Sequence, residues 1–269
     1  MNNALRLLLA LASALALRAA EPVVTALTNV HAHNDYEHTR PLFDALDQGF
    51  TSVEADIYVV DGKLLVAHDR RDVKPDRTLQ SLYLDPLRAR ARANGGRVFR
   101  DAPEFFLLID FKTAAGPTWE VLRDVLKGYA DMLTEFRGDT VERKAVTVIL
   151  TGNSPREQLA AEPVRLAALD GRLPDLATNP SARLVPWISE DWWSHFKWNG
   201  TGDMPEAERV KLREIVATAH EQGRKVRFYG GPDVPAMWRA HLAAGVDLIN
   251  TDKLAELRRF LLAPVAATR

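Results

Sequence analysis

Short apolar runs alternate with longer amphipathic patterns along most of the chain. Continuous apolar runs at 104–111 (EFFLLIDF) and 145–150 (AVTVIL) predict strands that are buried on both faces. Between them, apolar residues recur at helical spacing from Leu122 to Leu133, which predicts an amphipathic helix beginning near Pro117. This alternation is typical of an α/β fold with a parallel sheet.

Eight strands can be placed in this way. They are predicted at 26–30, 51–59, 104–111, 145–150, 165–169, 183–188, 225–229 and 246–250. Further helices are predicted from Thr39 to Gly49, with Leu42, Phe43 and Leu46 as its buried face, and at 78–94, 205–222, 234–243 and 254–261. Eight strands that mostly alternate with helices predict an α/β fold of the (β/α)8 TIM-barrel type, in a single domain.

The composition supports one large domain and excludes several classes of site. The chain has 269 residues, of which 46% are hydrophobic, so it can bury an ample core. Its net charge of −1 gives no indication of a nucleic-acid-binding surface. Because there are no cysteines, disulfides and zinc sites built from thiolates are excluded.

The first 20 residues differ in character from the rest. Arg6 is followed by an apolar stretch from Leu7 to Leu17 that is too short to span a membrane comfortably. We expect residues 1–20 to be a signal peptide and residues 21–269 to be the catalytic domain. The mature protein would then be secreted or periplasmic; an uncleaved membrane anchor is the alternative.

A pair of carboxylates interrupts the second predicted strand. Glu54 and Asp56 are two residues apart in TSVEADIYVV, so their side chains point to the same face of the strand. Two converging anions repel each other unless one is protonated or a cation lies between them. We therefore expect a cation-binding site at this strand.

Two histidines flank that pair in the sequence. His33 precedes it, and His68 follows a predicted hairpin with an Asp61-Gly62 turn, which returns the chain to the carboxylate strand. His31 shares a face with His33 and competes with it for the same role. Two histidines around a bound cation are a plausible arrangement for cleaving a phosphodiester.

The order of these motifs resembles that of a known superfamily. The motifs are, in order, His33-Asn34, Glu54-x-Asp56 and His68-Asp69. This order resembles that of the superfamily that contains the phosphatidylinositol-specific phospholipases C and the glycerophosphodiester phosphodiesterases. The full string HAHNDY…VEADIY…LLVAHD resembles the branch called altered-inheritance-of-mitochondria-6-like. No Arg-Gly follows His33, whereas glycerophosphodiesterases begin with His-Arg-Gly, which leaves the substrate open.

The resemblance implies roles for individual residues. It favours His33 over His31 as the first catalytic histidine, with His31 as nearby support on the substrate side. Asp110 resembles the third acidic metal ligand, alongside Glu54, Asp56 and Asn34, and Lys112 matches a lysine that would contact the phosphate. An ion pair between Lys112 and Asp110 is the alternative. Oxygen ligands favour one hard divalent cation, Mg²⁺ or Ca²⁺.

Residues later in the chain supply weaker candidates. Arg227 and Tyr229, on the seventh strand, are placed to contact substrate, and Asp252 to orient a neighbouring side chain. The tryptophans of PWISEDWWSHFKW form either an aromatic lip for a lipid substrate and a membrane surface, or a packed loop. The other histidines are expected outside the site: His38, His195, His220 and His241.

The sequence thus predicts a metal-dependent phosphoric diester hydrolase. Its partner would be a glycerophosphodiester or a phospholipid head group, cleaved by two-histidine acid–base catalysis with a hydroxyl of the substrate as the nucleophile. A barrel that binds head groups without cleaving them is an alternative. An amidohydrolase, suggested by His31-Ala32-His33, is disfavoured because Asp170 and Ser189 end the strands where that family needs histidines.

Overall fold

The computed structural model describes residues 24–138 and 140–263. The predicted signal peptide at 1–20 lies outside these residues. The described chain contains twelve strands: β1 (Val30–Ala32), β2 (Ser52–Val60), β3 (Lys63–Val66), β4 (Phe105–Phe111), β5 (Glu135–Arg137), β6 (Thr140–Glu142), β7 (Val146–Gly152), β8 (Val164–Arg165), β9 (Ala167–Gly171), β10 (Trp187–Asp191), β11 (Lys225–Tyr229) and β12 (Leu248–Thr251).

Eight of these strands form a closed parallel barrel. The order around the barrel is β1-β2-β4-β7-β9-β10-β11-β12, and the pairing of β12 with β1 completes the circle. In β2, Val53, Ala55 and Ile57 are fully buried against the surrounding layer, as expected when helices cover the outside of a parallel sheet. The predicted single-domain (β/α)8 barrel is confirmed.

Helices surround the barrel. In the described chain they are α1 (Phe43–Asp47), α2 (Asp85–Ala93), α3 (Ala115–Lys127), α4 (Arg156–Ala161), α5 (Pro174–Thr178), α6 (Trp192–His195), α7 (Glu206–Glu221), α8 (Pro235–Ala244) and α9 (Leu254–Leu262). A π-helical turn at Gln80–Leu84 leads into α2. Among the described residues, we find no helix with the length and apolar character needed to cross a membrane.

The inside of the barrel changes from apolar to polar along the strands. Its lower part is an apolar cluster formed by Phe106, Leu108, Phe136, Ile149, Ala168, Trp187 and Leu248. Two residues further along the same strands, Leu108 gives way to Asp110, Ile149 to Thr151 and Ala168 to Asp170. The carboxyl ends of the strands therefore carry the polar side chains, where barrel enzymes place their active sites.

A second, three-stranded antiparallel sheet was not predicted. It has the order β6-β5-β8, and Phe136 of β5 packs into the apolar cluster inside the barrel. The sequence gives little sign of it because its strands are only two or three residues long.

The predicted positions of three barrel strands are wrong. The first strand is Val30–Ala32 rather than 26–30, and the sixth is Trp187–Asp191 rather than 183–188, beginning just after Pro186, which has no N–H to donate. The fifth prediction, 165–169, merges Arg165 of the small sheet with the barrel strand Ala167–Gly171.

The first helix also differs from the prediction. It begins at Phe43 rather than after Thr39, and Phe43 is 47% exposed, whereas Leu42 and Leu46 are buried. Leu42 has a positive φ of 65°, and its N–H donates to the buried carboxylate of Asp35, which also accepts from the Tyr83 hydroxyl. This polar anchor, absent from the apolar pattern, delays the start of the helix.

The hairpin after the second strand is confirmed. Val60 pairs with Lys63 in an antiparallel ladder, and the two residues between them, Asp61 and Gly62, have φ values of 50° and 72°. Positive φ at both positions is the geometry that an Asp-Gly hairpin turn favours.

Candidate active site

A cavity of about 330 Å³ lies at the carboxyl ends of the barrel strands. The structure brings most of the predicted site residues into its lining, namely His33, Asn34, Glu54, Asp56, His68, Asp110, Lys112, Arg227 and Tyr229. Thr151, Gly152 and Arg172, for which no role was predicted, complete it. His31 does not line the cavity; it is fully buried in the barrel.

Three carboxylates converge in this cavity. Glu54 and Asp56 project from β2, and Asp110 is the register partner of Asp56 on β4. Oxygen atoms of the three groups all lie within 4.8 Å of one another. Glu54 and Asp56 are buried, so their charges are shielded from water and require positive partners.

Lys112 provides one such partner. Its Nζ lies 2.9 Å from Asp56 Oδ2 and 2.7 Å from Asp110 Oδ2. Even so, burial and the nearby charge of Glu54 raise the pKa of Asp56 to about 6, against the opposing effect of Lys112. The ion pair weighed as an alternative for Lys112 is thus present, and the role of this lysine at a phosphate stays a prediction.

The carboxylate cluster has the features expected of a site for a hard cation. Asp56 Oδ1 is buried and has no hydrogen-bond partner, which is costly for a carboxylate oxygen unless something else satisfies it. A Cβ at Gly152 would overlap Asp110 Oδ1, so glycine is needed beside this ligand. Since every donor is an oxygen, the set fits Mg²⁺ or Ca²⁺.

His33 is held by an acidic residue from the other end of the chain. Its Nδ1 lies 2.9 Å from Asp252 Oδ1, just after β12, and its Nε2 lies 3.8 Å from Glu54 Oε2. Burial alone would lower the pKa of His33, but the hydrogen bond to Asp252 and the charge of Glu54 outweigh it and raise that pKa. The predicted orienting partner is therefore in place, beside His33.

His68 is held by a phenol rather than by a carboxylate. Its Nδ1 lies 3.0 Å from the hydroxyl oxygen of Tyr36 and 3.4 Å from Asp56 Oδ2. The Tyr58 hydroxyl donates to the backbone carbonyl of His68 and fixes the end of the hairpin. Tyr36 is a residue that the sequence reasoning missed, although it lies in the quoted motif HAHNDY.

Glu54 is surrounded by cationic and hydrogen-bonding groups. His31 Nε2 lies 3.7 Å and Arg227 Nη1 lies 3.9 Å from Glu54 Oε2, while His31 Nδ1 is bonded to Ser52 Oγ at 2.7 Å. Burial would raise the pKa of Glu54, but the contact with His31 and the charge of Arg227 hold it well below its usual range. Glu54 is therefore an anion at neutral pH.

Two arginines also line the cavity. Arg227 is buried, donates to Ser189 and Asn250, and stacks its guanidinium 5.3 Å from the centre of the Tyr229 ring. Arg172 donates to Asp170 and to Thr151 Oγ1. Arg172 was missed because the fifth strand was predicted to end two residues too early.

Other predicted features lie outside the cavity. Trp187, Trp192 and Trp198 are buried, so the packed-loop interpretation holds for these three, and Trp193 alone of the group is exposed. Of the histidines expected outside the site, His195 pairs with Glu190, His220 pairs with Asp247, and His241 is buried among aromatic rings. His38 also lies away from this cavity.

Comparison with known protein families identifies relatives of the chain. Residues 22–165 match the family described as the AIM6-like phosphodiesterase domain. The chain is 30% identical to Altered inheritance of mitochondria protein 6 of Eremothecium gossypii, over 88% of this chain and 70% of that protein. It is 28% identical to the protein of the same name in Saccharomyces cerevisiae, over 84% of this chain and 68% of that protein.

Solved structures share the fold. A glycerophosphodiester phosphodiesterase from Parabacteroides distasonis matches with a TM-score of 0.52 and 15% identity, over 88% of this chain and 98% of that chain. A phosphodiesterase from Oleispira antarctica, in complex with the product sn-glycerol-3-phosphate, matches with a TM-score of 0.54 and 15% identity, over 87% and 97%. At this identity the likeness establishes the barrel fold.

These comparisons correct one prediction and confirm another. The relatives are named for altered inheritance of mitochondria, and this contradicts the prediction of a secreted or periplasmic protein. The resemblance drawn from the histidine and carboxylate motifs is confirmed. The chain belongs to the family of AIM6-like phosphodiesterase domains.

Proposed function

We propose that this protein cleaves a glycerophosphodiester or the head group of a phospholipid, with His33 and His68 as general acid and base, in one domain spanning residues 21–269. The observation that carries the proposal is the placement of the two histidines. Each contacts a different carboxylate of the same cluster, Glu54 in one case and Asp56 in the other. Each also has its Nδ1 engaged by a protein partner, which leaves Nε2 for a substrate.

The carboxylate cluster would hold one divalent cation, Mg²⁺ or Ca²⁺, through Glu54, Asp56, Asp110 and Asn34. When bound, that ion supplies positive charge beside a phosphate oxygen. Lys112 lies in the same cavity and can offset charge on the other phosphate oxygens as it increases in the transition state. Arg172 and Arg227 add further positive charge to the lining of the cavity.

The proton transfers follow from the two histidines. One imidazole removes the proton from a substrate hydroxyl next to the phosphoester, and the hydroxyl oxygen attacks phosphorus. The bond from phosphorus to the leaving alcohol breaks, and the other histidine donates a proton to that alcohol. A cyclic phosphate results; water then opens the ring with the two histidines in reversed roles.

The cavity supports a polar substrate. Apart from Gly152, all of its lining residues carry polar or charged groups. Its volume of about 330 Å³ suits a head group rather than acyl chains, which would have to remain outside. The sn-glycerol-3-phosphate bound to the Oleispira antarctica phosphodiesterase is likewise a small polar phosphate ester. Contact with a membrane surface would rest on Trp193 and stays a prediction.

A turnover screen tests this proposal. The purified protein is incubated with glycerophosphodiesters that differ in the leaving alcohol, with added Mg²⁺ or Ca²⁺ and, in parallel, with EDTA. We expect release of the alcohol that depends on the ion and disappears in EDTA. Binding of these compounds without any turnover would instead identify a barrel that holds head groups and does not cleave them.

A further inference from the structure

The hydroxyl group of Tyr36 is the point where three site residues meet. Its oxygen lies 2.7 Å from Asp56 Oδ2, 2.7 Å from Asn34 Oδ1 and 3.0 Å from His68 Nδ1. The side chain is buried, at 3% exposure, so water does not replace these contacts. Tyr36 takes no part in the proton transfers of the proposed reaction.

The ring of His68 has little else to fix its orientation. Its side chain is 54% exposed, so packing around it is limited. Asp56 Oδ2 is farther from His68 Nδ1, at 3.4 Å, than the phenol oxygen is. The Tyr36 and His68 rings also stack, with an interplanar angle of 16°. Tyr36 therefore lies between a carboxylate and the imidazole and is the closest polar partner of that ring.

The number of hydrogens decides how these contacts are made. A phenol has one hydrogen and two acceptor sites. Its hydrogen is best donated to the charged oxygen of Asp56, because hydrogen bonds to ionised acceptors are the stronger ones. The phenol oxygen can then accept from His68 only if Nδ1 carries a hydrogen. The remaining acceptor site is satisfied when the Asn34 amide turns its nitrogen to Tyr36, which frees the amide oxygen for a cation.

We propose that Tyr36 is a positioning residue that holds His68 in the tautomer with hydrogen on Nδ1, leaving the lone pair of Nε2 for the substrate. This inference rests on the proposed function only for its kinetic consequence; the tautomer itself is a property of the folded protein. The two histidines are thus set by different means: Asp252 orients His33 directly, and Asp56 orients His68 through the phenol of Tyr36.

The test compares two Tyr→Phe variants, each of which removes a hydroxyl that contacts His68. Tyr36→Phe removes the hydroxyl that contacts the His68 ring, while Tyr58→Phe removes the hydroxyl that contacts the His68 backbone. Long-range ¹H–¹⁵N NMR of the imidazoles reports the tautomer, with the His68 signals assigned from a His68→Gln variant. We expect the Nδ1–H tautomer in the wild type and in Tyr58→Phe, and loss of that preference in Tyr36→Phe.

Kinetics and ion binding provide a second readout. Tyr36→Phe should lower kcat by roughly 10–100-fold with little change in KM, the usual cost of losing a partner that orients a functional group. Because the Tyr36 hydroxyl also contacts Asp56 and Asn34, the affinity for Ca²⁺ is measured by calorimetry to separate an effect on the ion site from an effect on His68. An unchanged His68 tautomer in Tyr36→Phe, or a loss confined to Ca²⁺ affinity, would overturn the inference. Because the NMR result does not need turnover, it stands even if no diester proves to be a substrate.

Discussion

The lower and upper halves of the barrel interior are built by the same strands and carry opposite chemistry. The lower half is closed by apolar side chains such as Leu108, Ile149 and Trp187, all fully or almost fully buried. At the next inward-facing position of each strand, two residues later, the side chains are those of Asp110, Thr151 and Ser189. The lower half contributes stability through burial and packing. The upper half buries charges at a cost in stability, for which the proposed function would account.

Loss of the carboxylates should have the largest effect. We expect the Glu54→Gln, Asp56→Asn double variant to lose Ca²⁺ and Mg²⁺ binding and, with it, diester turnover, because two of three converging anions are neutralised. Calorimetric titration with Ca²⁺ and the turnover assay measure the two effects. Glu206→Gln, on the exposed surface of α7, is the matched control. Full activity in the double variant would remove the basis for the assignment.

Loss of either histidine that we propose as general acid or base should be next in size. His33→Ala or His68→Ala should lower kcat by roughly 10²–10⁴, the usual worth of a general acid or base. His31→Ala should cost clearly less, because His31 lies beneath the cavity and acts through Glu54. His220→Ala, on α7, serves as a control outside the site. A greater loss from His31→Ala than from His33→Ala would mean that the wrong first-strand histidine has been chosen.

In the lower half, a truncation should reduce stability and spare the chemistry. Leu108 is fully buried, pairs in register with Glu54 and precedes Asp110 by two residues on β4. Leu108→Ala should reduce the free energy of unfolding by about 2–5 kcal/mol, measured by urea denaturation, with Ca²⁺ binding retained in the folded protein. Leu262→Ala, at a position 51% exposed, makes the same change without a cavity. Equal destabilisation by both would show that the barrel interior is not the dominant core at this point.

The smallest expected effect is the pH dependence from a buried histidine outside both halves. Burial lowers the pKa of His241 to about 4, and its ring packs against Trp192 and Phe228. Between pH 6.5, near the unfolded-state pKa, and pH 4, His241 is protonated in the unfolded chain and neutral in the folded protein. The free energy of unfolding therefore decreases as the pH is lowered through this range. The loss reaches about 3 kcal/mol at the acidic end.

His241→Phe should make the free energy of unfolding depend less on pH in this acidic range. The difference in the free energy of unfolding between pH 7.5 and pH 4.5 should be smaller in His241→Phe than in the wild type. Part of the decrease in stability at acid pH should remain in this variant, because burial and Arg227 also lower the pKa of His31 to about 4. If this difference were as large in His241→Phe as in the wild type, His241 would be hydrated in the folded protein.

The sequence predicted the barrel and the carboxylate side of the site better than the groups that support them. Strands such as 104–111 are continuous apolar runs, and an inward-facing Glu-x-Asp in such a run is visible without a structure. The Asp61-Gly62 turn fixed where His68 would return. These features depend on local pattern, which a single sequence contains.

The missed features depend on contacts between distant segments. Nothing in the sequence distinguishes Tyr36 from other aromatic residues, because its hydroxyl contacts Asp56 and His68 only in the folded protein. The delayed first helix reflects the bond from Leu42 to Asp35, and the misplaced fifth strand reflects a small sheet that draws Arg165 away from the barrel. None of these contacts has a periodic signature along the chain.

The central claim is that the two histidines cleave a diester whose own hydroxyl is the nucleophile. Phosphorus NMR of turnover tests it most directly, with a glycerophosphodiester set beside an analogue that lacks the hydroxyl next to the phosphoester. We predict a transient cyclic phosphate from the intact substrate and no turnover of the analogue. Equal rates on the two compounds would contradict the account and point to direct attack by water.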